Sequence, residues 1–322
     1  MANTRDIQNR IKSISNTKKI TKAMEMVAAS KMRRAIEAVL KTRTYANLSW
    51  NIVLNLSQAG NSNGGQALHP LLAKRERIKK VGIVLITSNR GLCGGFNTAI
   101  VNKAHKSVEK HKELGKENSE FIIIGKKGAI VKKHYNYDIA AEFSKEDIIS
   151  EVKEVLPIAK IVLDDYLSGK YDKIMVAYTD YVSASKQIPR VKQLLPIDIT
   201  TQDEYLGIVG EDTRVGIDKE FIDKKKEKRL QDKKNTYEYT FEPNPKEVLD
   251  EMIPRLIEVQ LFQALLESNA SEHSARMSAM HQATDAAKDM ADELTLFYNK
   301  ARQASITAEI AEISAGANAL AE

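Results

Sequence analysis

The chain begins and ends with segments too long for a compact domain to absorb. From Thr4 to Ala59 there is neither proline nor glycine, and residues 255–320 hold one glycine, Gly316, and no proline. As helices at 1.5 Å per residue these would be rods of about 80 Å and about 100 Å. Between them, short β-branched runs alternate with helical stretches. Strands are predicted at 80–87, 120–125, 139–143 and 173–182, and helices at 97–113, 126–135 and 145–168. Further extended pieces are predicted at 189–197 and 237–242. The alternation predicts an α/β layer around a mainly parallel sheet. A globule of this length has a radius of gyration near 15 Å and is about 40 Å across, so each terminal helix overshoots it roughly twofold. The arrangement that satisfies both helices is antiparallel pairing into a stalk. The stalk's outer faces then require a partner.

Three regions follow: an N-terminal coiled-coil helix over 1–70, a central α/β domain over 71–243, and a C-terminal coiled-coil helix over 244–322. In the first helix Ile7, Ile11 and Ile14, then Ile20, Met24 and Val27, then Ala28, Met32, Ala35 and Val39 recur at helical spacing. That stripe shifts sideways between Ile14 and Ile20. The last helix has a start signal in Asn244, Pro245 and Glu247, a cap with a capping-box partner. Pro254 is expected to kink or interrupt it. Further on, Met277, Met280, Thr284, Ala287, Ala291, Leu294, Tyr298, Ala301, Ser305 and Ala308 keep an unbroken 3-4 repeat. Most of these are small, which lets two helix axes approach closely and favours a thin rod over a sticky one. The stretch 200–235 contains DKKKEKRLQDKK, a charged insertion with little to bury, expected to be solvated.

Chemistry is sparse. The strand VGIVLIT runs into a loop with Gly91, Gly94 and Gly95, but the glycines are spaced G-x-x-G-G. Neither the dinucleotide fingerprint nor the P-loop frame, which needs Lys-Ser or Lys-Thr, is present. A tight strand-to-helix turn is the plainer use of those glycines. Ser88 lacks the nucleophile-elbow frame. Cys93 is the only cysteine, so an internal disulfide and a thiolate zinc cluster are excluded. The scattered histidines have no HExxH spacing. No catalytic residue, metal site or cofactor is expected. No apolar run approaches the roughly 18–20 residues that span a bilayer, and the N-terminus lacks an apolar signal core. A cytoplasmic location follows, with membrane association only through partners.

Charge is unevenly placed. The chain carries a formal net charge of +6, yet residues 1–43 hold eleven Lys or Arg against Asp6, Glu25 and Glu37, a local balance of +8. Such a stripe suits nucleic acid, a membrane surface or an acidic protein face. A basic coiled-coil nucleic-acid-binding factor with an α/β head is one reading. The absence of an aromatic before Tyr45 in that stripe argues against it.

Three segments carry a resemblance. NTKKITKAMEMVAASKMRRA (16–35), TSNRGLCGGFN (87–97) and LFYNKARQASITAEIAEISAGANAL (296–320) resemble, in order, the signature segments of the γ subunit of bacterial F-type ATP synthase. The resemblance covers essentially the whole chain. It implies an antiparallel coiled coil of the terminal helices with a central Rossmann-like α/β domain. It also implies the role of a non-catalytic rotor shaft, one copy per complex, inside a ring of three α and three β subunits. The globular foot would meet the ε subunit and the membrane c-ring at the cytoplasmic face of the cell membrane, and no nucleic acid is implied. The coupling ion is chosen by the membrane subunits. The insertion at 200–235 is longer than in the common bacterial form, and the chloroplast-type cysteine pair is missing.

Carried over residue by residue, the resemblance implies partner contacts. Met24, in KAMEMVAASKM, would meet the β lever region, although its spacing also suits a coiled-coil core. Cys93, in RGLCGG, lies in a loop that would approach a β lever; a buried thiol is the plain alternative. Arg302, Gln303 and Thr307, in ARQASIT, would hydrogen-bond to β. Tyr239 matches a foot position near the rotor ring.

Overall fold

The computed structural model describes residues 4–61, 69–73, 75, 77–110, 116–146, 151–197 and 244–321. Its elements are α1 (Thr4–Asn61), β1 (Val81–Ile86), α2 (Phe96–Lys110), β2 (Ser119–Ile124), α3 (Ile130–Tyr135) and β3 (Asp138–Phe143). They continue with α4 (Leu156–Leu167), β4 (Lys173–Tyr181), β5 (Gln187–Leu195) and α5 (Pro245–Ala321). The insertion at 200–235, the extended piece at 237–242 and Tyr239 lie outside the described residues. Packing separates two compact units, Met1–Ala29 with Arg276–Glu322, and Ser30–Ala275.

In the larger unit five strands form one sheet in the order β3-β2-β1-β4-β5. The pairs β1–β2, β1–β4 and β2–β3 are parallel, and β4–β5 is antiparallel. Every residue of the central strand β1 is buried, as expected when helices cover both faces of a parallel sheet. On one face Val84, Ile86, Ile122 and Val176 pack with Ile158 and Val162 of α4 and Ile257, Leu261 and Leu265 of α5. On the other, Ile83, Leu85, Phe121 and Ile123 pack with Ile100 and Ala104 of α2 and Val131 of α3. Each such side chain contributes about 1.5–3 kcal/mol by leaving water. Pro189 sits in β5, an edge strand, where a missing ladder donor is tolerated.

Two sequence expectations change. Of the helix predicted over 145–168, residues 147–150 lie outside the described residues; Val152–Glu154 form a 3-10 turn and the α-helix begins at Leu156. Pro157, in the first turn, lacks the amide an upstream helix would need. Pro254 does not interrupt α5, which continues through it from Pro245 to Ala321. The residues after Pro254 are buried by the sheet face, and that packing outweighs one lost backbone bond. The predicted cap forms: the Glu247 amide donates to Asn244 Oδ1 at 2.9 Å, and Asn244 Nδ2 donates to the Glu247 carboxylate at 2.6 Å.

The smaller unit is an antiparallel pair. Thr284 Oγ1 donates to Thr21 Oγ1 at 2.8 Å, and His281 lies 3.4 Å from Glu25. Ile14 lines the same depression as Leu294. As numbers rise on α1 they fall on α5. On α5 the ten predicted seam positions, Met277 to Ala308, are all sheltered, with Arg276, Ala279 and Ala283 half-sheltered beside them. On α1 the sideways shift is absent. Ile7, Ile11, Ile14, Lys18, Thr21, Glu25 and Ala28 keep one 3-4 register, while Ile20 and Val27 are 60% and 56% exposed. The register passes through polar residues, so an apolar stripe does not trace it.

Candidate functional site

The loop after β1 is closed on itself. Asn97, in the first turn of α2, accepts from the Ser88 amide at 3.0 Å and donates to Ser88 Oγ at 2.7 Å and to Cys93 Sγ at 3.3 Å. Ser88 Oγ donates to the Arg90 carbonyl at 2.7 Å. Cys93 is buried among these groups, whereas the adjacent Leu92 is 62% exposed and left-handed, with φ 63°. The loop therefore presents Leu92 outward and the thiol inward. Beside it, Gly125 is required: its φ is 99°, and a Cβ there would lie 2.3 Å from the Thr87 carbonyl oxygen.

Strand order places a topological switch between β1 and β4, the position where open α/β sheets bind ligands. Here the chain's own α5 supplies polar groups to that end of the sheet. Ser271 Oγ donates to the Thr179 carbonyl of β4 at 3.1 Å, and Ser274 Oγ donates to the Ala184 carbonyl just beyond β4 at 2.7 Å. Glu272 forms a buried ion pair with Lys145, whose backbone is bonded to Asn89 in the loop after β1. Among the described residues no three His, Cys, Asp or Glu side chains converge as a metal site.

Electrostatics elsewhere in this unit fasten the chain. Burial raises the Asp172 carboxyl, but the Arg75 guanidinium at 2.7 Å and the amides of Lys79 and Lys80 outweigh it and hold the group below its ordinary range. Burial, with a hydrogen bond to Glu120, pushes the Tyr171 phenol up to about 12.

In the two-helix unit the sequence-predicted residues separate. Met24 is half-buried, flanking the seam position Glu25. Arg302, Gln303 and Thr307 are exposed on α5. Thr307 Oγ1 donates to the Gln303 carbonyl at 2.9 Å, so its oxygen remains an acceptor for an incoming group. Along α5, Arg302 lies roughly 30 Å beyond His281, which is level with Glu25. Met24 and the Arg302 group therefore occupy distinct stations.

Sequence reading missed an apolar outer surface. Met26, Met290, Leu296, Phe297, Ile306, Ile310 and Ile313 are all more than two-fifths exposed, in addition to Ile20 and Val27. Ile14, Leu294, Leu296, Phe297 and the Lys300 stem line a depression of about 490 Å³. The available signal was negative: large apolar residues standing off the 3-4 seam of a paired helix. Exposed apolar area on this scale marks an interaction surface.

A family model described as ATP synthase matches residues 3–320. The ATP synthase gamma chain of Herpetosiphon aurantiacus is 41% identical, with 99% of each chain covered. The chain belongs to the ATP synthase gamma chain family. Other gamma chains agree, at 39% identity in Roseiflexus castenholzii, covering all of both chains, and 37% in Nitrosomonas eutropha, covering 99% of this chain and 100% of that one. Among solved structures, a chain of the Euglena gracilis mitochondrial ATP synthase (OSCP/F1/c-ring, rotational state 3) aligns with TM-score 0.61 at 20% identity, over 98% of this chain and 94% of that one. A chain of the Tetrahymena thermophila mitochondrial ATP synthase central stalk and c-ring aligns with TM-score 0.57 at 21% identity, over 82% and 99%. These two show the shared fold. As a gamma chain, the protein is a central-stalk rotor component of ATP synthase, and the nucleic-acid reading gains nothing from these relatives.

Proposed function

We propose that this chain turns as a single shaft inside a ring of three α and three β subunits and carries no catalytic group of its own. Its α/β unit meets the ε subunit and the membrane c-ring on the cytoplasmic face of the cell membrane. The catalytic sites belong to β. Rotation driven by ions crossing the membrane presents successive faces of the helix pair to the three β subunits and drives ATP synthesis; the reverse reaction turns the shaft the other way.

The observation that carries this reading is the pairing of a slender seam with large apolar residues on the outside. Ala287, Ala291, Ala301, Ser305 and Ala308 line the seam, while Phe297, Ile306, Ile310 and Ile313 stand out from it. A free coiled coil would arrange these residues the other way round. A shaft needs a narrow section within its bore and apolar contact with the bore wall. The exposed Lys12, Lys19 and Lys22 of α1 share one side of the helix and suit acidic lever loops, because complementary charge guides contact without deep adhesion.

Mixing the purified chain with α3β3 rings tests the reading. One chain per ring should co-elute on gel filtration and persist in moderate salt. A chain that stays free of rings but binds DNA, with affinity falling steeply in salt, contradicts it.

A further inference from the structure

Helix α5 is buried from Leu256 to Ser274, Glu258 apart, and its character changes just before it leaves the globule. The earlier part is rich in Leu, Ile and Phe. The final part buries Glu267, Ser268, Asn269, Ser271, Glu272, His273 and Ser274. Ala275 is the last residue of the larger unit.

In that last turn three side chains reach separate segments. Ser271 Oγ donates to the Thr179 carbonyl of β4 at 3.1 Å. Ser274 Oγ donates to the Ala184 carbonyl at 2.7 Å and accepts from Gln187 Nε2 of β5 at 3.2 Å. Glu272 pairs with Lys145 Nζ, the two side chains being 5% and 3% exposed. Lys145 is itself fixed through its backbone. Its amide donates to Asn89 Oδ1 at 3.3 Å, and its carbonyl accepts from Asn89 Nδ2. Asn89 Oδ1 also accepts from the Lys126 amide at 3.3 Å. The turn is thus tied to β4, to the β4–β5 connection, and through Lys145 and Asn89 to the loops following β1, β2 and β3.

Apolar contact is non-directional, so a helix in a greasy groove can roll or slide by small repacking. Hydrogen bonds weaken steeply with angle, and separating a buried ion pair strands a charge. Buried polar contacts are accordingly used to fix register where apolar packing leaves it loose. Here the side-chain bonds from α5 to β4, to the β4–β5 connection and to Lys145 fall in one turn, at the exit, while Gln263 further back accepts from Thr42 Oγ1 of α1 at 2.8 Å.

We infer that Lys145, Glu272, Ser271 and Ser274 form a collar that locks the roll and depth of α5 in the α/β globule, so that turning force passes between globule and helix without slip. These are positioning residues, and the torque consequence rests on the rotor reading above. The test variant is Lys145→Met/Glu272→Met, which replaces the pair with apolar side chains of similar length. In the isolated chain, with Cys93→Ser and spin labels on cysteines placed at Lys126 and at Arg255 of α5, both in the larger unit, the native collar should give one narrow distance distribution. The Met pair should at least double its width while the melting temperature holds or rises. In the assembled enzyme the Met pair should at least halve the torque delivered to a viscous load on the globule, with unloaded ATP hydrolysis within twofold of native. Should the Met pair fail to fold, Ser271→Ala/Ser274→Ala is measured in its place with the same expectations. An unchanged distribution and full torque overturn the collar. A native complex that hydrolyses ATP but never rotates overturns the rotor reading alone, because the label distances still decide the collar.

Discussion

Arg302 and Gln303 are exposed on α5, and beside them Thr307 spends its proton on the Gln303 carbonyl. Such groups contribute little to the isolated chain, so Arg302→Ala/Gln303→Ala should leave its melting temperature unchanged. If each makes the hydrogen bond to β that the resemblance implies, about 1 kcal/mol apiece, the double variant should lower ATP synthesis in membrane vesicles several-fold; undiminished synthesis removes these residues from the contact. Met24 poses the opposite choice, being half-buried beside the seam. Met24→Lys should impair coupling more than folding if it faces β, whereas a melting temperature lowered by many degrees would assign it to the core. Asp172 belongs to the globule's stability. Its carboxyl is held below its ordinary value by Arg75 and two backbone amides. The stability it supplies is present above the ordinary carboxylate pKa and is lost as pH falls through the depressed folded value. Asp172→Asn should flatten that acid limb of the stability–pH curve.

At the scale of elements, the seam of α5 was legible residue by residue because small and apolar side chains mark it at 3-4 spacing without interruption. The seam of α1 was not, because it runs through Lys18, Thr21 and Glu25 while Ile20 and Val27 face out. Apolarity tracks burial only when the chain is its own sole partner, and here two apolar stripes serve different surfaces. The parallel sheet was legible from its β-branched runs. The collar was not, since Lys145 and Glu272 are 127 residues apart and one sequence carries no record of which distant charges pair. The small seam residues make a prediction of their own. Ala291→Leu and Ala301→Leu, at half-sheltered positions, should each stabilise the isolated helix pair by about 1 kcal/mol through added apolar burial. In the assembled enzyme the thicker section should slow turnover. Faster or unchanged turnover would show that slenderness has no bearing on rotation.

At the scale of the whole molecule, the central claim is that α1 and α5 of the smaller unit turn together as one body. Thr21 and Thr284 face each other across the seam, their hydroxyls 2.8 Å apart, and helices that move as one lose nothing when joined there. The decisive measurement is ATP-driven rotation of the assembled complex carrying Thr21→Cys/Thr284→Cys in a Cys93→Ser background, before and after oxidation. The disulfide should form readily, and the oxidised shaft should turn at the rate of the reduced one. A shaft that stalls when joined, or cysteines that refuse to join, would contradict it.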